Sequence, residues 1–172
     1  MTAMFDKALG RVSVALAYGA CFVVACIFAL IVADVSLRTL GVTTPGLVLT
    51  VVEYALLYFA MLAAPWLVRE RGHVCIEALI TVLPRPLQVI LAKLVYLLCM
   101  VVSAMFAYYS AILLSEALET METDVRGVAI PLWLMFLPMP VSFVTMALEF
   151  LMYLVGLRSY YLYDLGEVRD SV

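Results

Sequence analysis

The sequence predicts an all-α integral membrane protein with four transmembrane helices, both ends in the cytoplasm, and three observations carry that reading. Hydrophobic residues make up 67% of the 172 and charged residues only 13%, against about half and about a quarter in a soluble domain. Mean hydropathy is +1.14. Four separate apolar runs each reach the roughly 20 residues that a bilayer core requires. A chain of this length cannot hide so much apolar surface behind so few charges, so its solvent is lipid. That excludes a soluble enzyme, a disordered tail and a secreted disulfide scaffold. The net charge of −3 gives no basic face, so nucleic acid is not an expected partner.

The first run covers residues 12–33 without a charge and is closed by Asp34 and Arg38. Val23-Val24-Ala25-Cys26 loosely resembles a lipoprotein cleavage box. Apolar residues 27–32 follow where a polar linker would stand, so the run is expected to stay as a span. Asp34 and Arg38 are spaced i, i+4 and should pair locally at the helix end. The second run covers 47–68 and is broken only by Glu53. The third covers 87–115, with Lys93 near its start. The fourth covers 128–157, with Glu149 in its later part. Pro131 suits the first turn of that helix, and Trp133 suits an interface belt. Pro138 and Pro140 should kink it or interrupt its hydrogen bonds. Tyr153, Tyr160, Tyr161 and Tyr163 crowd its far end as interfacial anchors. Backbone in lipid must satisfy its own hydrogen bonds, so each run is read as a helix, and 1–172 as a single four-span domain.

The 69–86 connection is the most distinctive of the loops. Gly72 can break the second span, and residues 73–83 then read as a short helix ended by Pro84 and Pro86. His73, Glu77 and Thr81 fall at i, i+4 and i+8 as one narrow polar stripe on an otherwise apolar segment. Such a helix should lie in the membrane interface or against another protein. Orientation follows the basic residues. Lys7, Arg11, Arg69, Arg71, Arg85, Lys93, Arg158 and Arg169 gather on one side, while Arg38 and Arg126 alone stand on the other. Both termini are therefore expected in the cytoplasm. The outer loops carry Asp34, Glu116, Glu119, Glu122 and Asp124, which make the outer rim negative.

Ionisable groups inside a span are costly and need an explanation. Lys93 and Glu149 both lie about 9–10 Å from the cytoplasmic ends of their helices. The matched depth suggests an ion pair between helices; the alternative is that each reaches separately to the interface. Glu53 lies about 9 Å inside the outer edge. Its candidate partners are Arg38, Arg126 or a cation from another subunit, and a role in transport coupling is the alternative.

The single His and four Cys leave little material for metal or haem chemistry. Cys21, Cys26, Cys75 and Cys99 form no CxxC pair and are expected as packing thiols. No phosphate loop, nucleophile elbow or HExxH motif occurs, and no cofactor or catalytic site is expected.

Several features, in order, resemble the DctQ-like small membrane subunit of tripartite ATP-independent periplasmic (TRAP) transporters. They are a first span ending Asp34-Val35-Ser36-Leu37-Arg38, Glu53 early in the second span, and Arg69-Glu70-Arg71-Gly72-His73-Val74-Cys75-Ile76-Glu77. After these come Leu83-Pro84, Ile130-Pro131-Leu132-Trp133 and Pro138-Met139-Pro140. The similarity covers nearly the whole chain. The family usually has Asp where Glu77 stands, a departure that keeps the charge.

The resemblance implies a non-enzymatic subunit of a secondary transporter in the bacterial inner membrane. Its implied partners are a large multi-span permease subunit, a periplasmic substrate-binding protein and membrane lipid. The large subunit would carry the substrate and sodium sites and move as an elevator, while the small one braces it and helps dock the binding protein. Organic acids such as C4-dicarboxylates and sialic acids are the implied cargo. Arg38, Glu53, Arg69, Arg71, His73, Glu77, Lys93, Arg126 and Glu149 are the expected subunit-interface or intramembrane pairing residues. A carboxylate site needs cations or helix N-termini near mid-membrane, and this chain places no Arg or Lys there. Two other readings are an autonomous proton-coupled four-span exporter and a membrane anchor or adaptor of another complex.

Overall fold

Among the described residues of the computed structural model, four helices are long and apolar enough to cross a membrane. Residues 2–42, 47–70, 85–125 and 129–155 are described. The first span is α1 (Thr2–Thr39), the second α2 (Leu47–Arg69) and the third α3 (Arg85–Thr120). The fourth is divided into α4 (Leu132–Phe136) and α5 (Pro138–Leu154). A short hairpin of β1 (Thr123–Val125) and β2 (Ala129–Pro131) stands between the third and fourth spans.

The sequence places all four spans correctly but understates two of them. Helix α1 has 38 residues and α3 has 36, so at about 1.5 Å per residue each exceeds 50 Å. That is well beyond the roughly 30 Å of a hydrocarbon core. Their polar ends hold no proline beyond the first turn, so the helix continues past the apolar run. Helix α1 stops where Gly41 takes a positive φ of 81°. There Gly41 N–H donates to Arg38 O and Val42 N–H to Leu37 O, the paired bonds of a Schellman end. Helix α3 stops at Met121, whose φ of 49° turns the chain out of the helix toward the hairpin. In that hairpin Asp124 lies opposite Ile130, and Leu132 N–H donates to Glu122 O. The hairpin is absent from the sequence reading, because three-residue strands leave almost no periodic pattern.

The helices form a row rather than a closed four-helix bundle. Helix α1 packs on α2, α2 on α5 and α5 on α3, with a lighter contact between α1 and α5. The two long helices are therefore the flanks, and the two proline-containing spans form the centre. Helix α3 meets α5 through Ala92, Tyr96, Ser103, Ala107 and Ser110, all buried. These positions share one face, and their mostly small side chains let two backbones approach. Two ring pairs fasten this seam. Tyr96 stacks on Tyr153 at 5.6 Å, and Phe106 on Phe143 at 5.2 Å. Helix α1 approaches α2 at Gly19, where an added Cβ would stand 3.6 Å from Leu62. A buried apolar cluster joins Val68 of α2, Ala92 and Tyr96 of α3, and Phe150 and Tyr153 of α5.

Candidate functional site

The interface between α2 and the fourth span is built around two prolines. Pro65 lies inside α2 and has no N–H to donate to Met61 O, four residues back. In lipid that carbonyl needs another donor. Ser142 of α5 supplies it, its hydroxyl donating to Met61 O. Pro138 divides α4 from α5 and likewise releases Leu134 O. Tyr58 of α2 donates its hydroxyl to that oxygen. Each span therefore donates to the carbonyl that the other's proline leaves open. The sequence reading noted Pro138 and Pro140 as interruptions, and the division at Leu137 agrees. Pro65 carries the same signal, since a proline in an apolar run calls for a hydroxyl on a neighbouring helix.

Further along the same face of α5, Tyr153 donates to Val68 O at 3.3 Å and Arg69 O at 3.0 Å. These carbonyls lie in the last turn of α2, where a helix offers its own carbonyls no further donors. Between Ser142 and Tyr153 stands Glu149, fully buried. Its Oε1 accepts from Arg69 Nη1 of α2 at 3.0 Å and from Ser13 Oγ of α1 at 2.8 Å. Arg69 Nη1 is also 3.9 Å from Asp6 Oδ1 of α1. Gly10 makes the approach possible, because a Cβ there would fall 2.6 Å from Arg69 Cζ. Two carboxylates, one guanidinium and one hydroxyl thus tie α1, α2 and α5 together at one end of the row. A buried carboxylate in lipid is tolerable only when it is paired in this way.

At the opposite end the polar contacts are local or peripheral. Arg38 Nε pairs with Asp34 Oδ2 at 2.8 Å within α1, as the i, i+4 spacing predicts. Asp34 Oδ1 is buried without a partner among the described residues. Tyr54 of α2 donates to Asp124 Oδ2 of the hairpin at 3.1 Å and fixes the hairpin against the row. Among the described residues no three His, Cys or carboxylate side chains converge as a metal site, and Cys21, Cys26 and Cys99 form no disulfide.

A family model described as "Tripartite ATP-independent periplasmic transporters, DctQ component" matches residues 27–159. The chain belongs to the DctQ family. It is accordingly a transporter component, the small permease subunit of a TRAP system, and that family is not an enzyme family. Comparison with the curated proteins and with the solved structures found no match. The DctQ match includes Arg69 and Glu149 but begins at residue 27. Asp6, Gly10 and Ser13, which complete the charged cluster, precede it.

The structure corrects one pairing expected from the sequence. Glu149 meets Arg69 and Ser13, whereas Lys93 is exposed on α3. Matched depth misled because Lys93 lies beside the buried stripe that starts at Ala92, not on it. Depth is a sequence property, but the helix face that meets a neighbour is not. Glu53 is also exposed, and Arg38, one of its expected partners, is engaged by Asp34. Arg71, His73, Glu77 and Arg126 lie outside the described residues, as do Cys75 and the expected interfacial helix at 73–83. Ser13, Gly10, Tyr58 and Ser142 carry no functional signal in the sequence, and Tyr153, expected as an interfacial anchor, is instead buried against α2 and α3. Single hydroxyls and glycines in an apolar run carry no pattern until their neighbours are known.

Proposed function

We propose that this DctQ subunit braces a large elevator-type permease for sodium-coupled uptake of organic acids delivered by a periplasmic binding protein. The observation that carries the bracing role is the use of its buried polar groups. Ser13, Arg69, Glu149, Ser142 and Tyr153 are committed to one another or to backbone carbonyls. A carboxylate substrate needs cations or helix N-termini facing a cavity, and the half-buried guanidinium of Arg69 already holds Glu149. The polar groups fix the helix row and leave transport chemistry to another chain. The exposed Glu53 and the Asp34–Arg38 pair are the proposed contacts toward the large subunit, together with Arg71, His73, Glu77 and Arg126. The acidic outer rim and its hairpin are the proposed docking margin for the binding protein.

Antiparallel packing collects Lys7, Arg11, Arg69 and Lys93 at one end of the row and Arg38 at the other. The basic bias supports a cytoplasmic position for the first end and an inner-membrane, multi-pass location. Reconstitution tests the reading. Sodium-driven uptake of a carboxylate into proteoliposomes should require this chain, the large subunit and the binding protein together. Full uptake without this chain, or transport by this chain alone, would overturn it.

A further inference from the structure

A second feature is separate from the polar interface. Helices α1 and α2 leave an open cleft of about 410 Å³ along one side of the row. It is lined by small residues, among them Ala17, Ala20 and Ala63, and by the rings of Tyr18, Phe59 and Trp66. The α1 wall runs through Val14, Tyr18 and Cys21. Continued back at helical spacing, the same face carries Arg11 and Lys7, both exposed. No ion pair to either is formed among the described residues. Beyond its lining, the α1 wall therefore continues toward two cations that are unpaired among the described residues, and the α2 wall continues at the same spacing to the exposed Glu70.

We propose that this cleft binds one anionic phospholipid, with an acyl chain along α1 and α2 and the phosphate at Lys7 and Arg11. Two arguments favour lipid over a partner helix. Lys7 and Arg11 against Glu70 leave that end of the cleft net positive, which is complementary to a phosphate. The distance from Arg11 to Cys21 along α1 is about 15 Å, half of a roughly 30 Å hydrocarbon core. An acyl chain spans one leaflet and fits that length; a transmembrane helix of a partner would need a groove running the full thickness. Trp66 at the cleft wall suits the interfacial depth of a lipid glycerol region. The assignment depends only on the chain lying in a bilayer, so it stands or falls apart from the transport reading.

The test uses the full-length chain with Trp133→Phe, which leaves Trp66 as the sole tryptophan of the two. In detergent micelles its fluorescence is titrated with phosphatidylglycerol or phosphatidylcholine carrying brominated acyl chains. Quenching should reach half-maximum at about tenfold less phosphatidylglycerol. The preference should disappear in Lys7→Gln/Arg11→Gln and persist in Arg11→Lys, and Ala63→Leu should weaken quenching by both lipids. Equal quenching by the two lipids in the parent overturns the proposal, as does a preference that survives Lys7→Gln/Arg11→Gln. In the assembled transporter, with Cys26, Cys75 and Cys99 changed to Ala, a photoreactive label on Cys21 should transfer to phospholipid. Transfer to a partner polypeptide gives the cleft to protein and overturns the lipid assignment.

Discussion

At one end of the helix row, Glu149 is buried against Arg69 and Ser13 from two other helices. At the other, Arg38 pairs within its own helix and its side chain is 59% exposed. The same kind of charge pair thus makes a bond between helices at one end and a surface contact at the other. Position relative to a neighbour makes the difference. Gly10 lets α1 come close enough to enclose Arg69, whereas Asp34 and Arg38 lie near the C-terminal end of α1, one of the two flanking helices. Enclosure raises the stakes of a pair. Breaking a buried one leaves an uncompensated charge, while breaking an exposed one returns both groups to solvent.

The largest expected effect comes from removing the cation. Arg69→Met should destabilise the chain by about 3–5 kcal/mol, read from reversible unfolding in mixed micelles. Adding Glu149→Gln should recover a large part of that loss, because no charge is then stranded. A double variant as unstable as Arg69→Met would break the contrast between the two ends. Gly10→Ala comes next. It must displace the guanidinium, and a cost of about 1–3 kcal/mol is expected, with a smaller cost in an Arg69→Met background.

The proline exchange gives a sharper and smaller signal. Ser142→Ala should cost about 0.6–1.7 kcal/mol, the range for hydrogen bonds between membrane helices. In a Pro65→Ala background the cost should shrink, since the substituted residue has a backbone N–H and restores an intrahelical donor to Met61 O. A double-mutant cycle measures the difference. The smallest effect belongs to the exposed cations. Arg38→Ala should change stability by at most about 1 kcal/mol, and Lys93→Met by about 0.5 kcal/mol or less. A large loss for Lys93→Met would restore the pairing with Glu149 that depth alone suggests.

Much of the architecture is legible in the residues themselves. Four spans, the local Asp34–Arg38 pair and the interruption at Pro138 follow from run length, i, i+4 spacing and the missing proline N–H. The candidate site is less legible. Arg69 and Glu149 stand out as costly charges, yet their mutual contact does not. They lie 80 residues apart in the chain, and several other charges lie at comparable depth. Ser13, Tyr58 and Ser142 give no signal at all, because a hydroxyl in an apolar run is cheap enough to pass unnoticed.

By itself the sequence determined that lipid is the solvent, how many helices cross it and which charges would be expensive there. These are properties of composition and of periodicity along one chain, and local energies settle them. Only the tertiary structure decided that the helices form a row, with proline-bearing spans at the centre and long helices at the flanks. It also decided that Glu149 is held by Arg69 rather than Lys93. The physical reason is that pairing depends on which helix faces meet. Small residues such as Gly10 and Gly19, and the carbonyls that Pro65 and Pro138 release, set those faces through contacts between segments far apart in the chain.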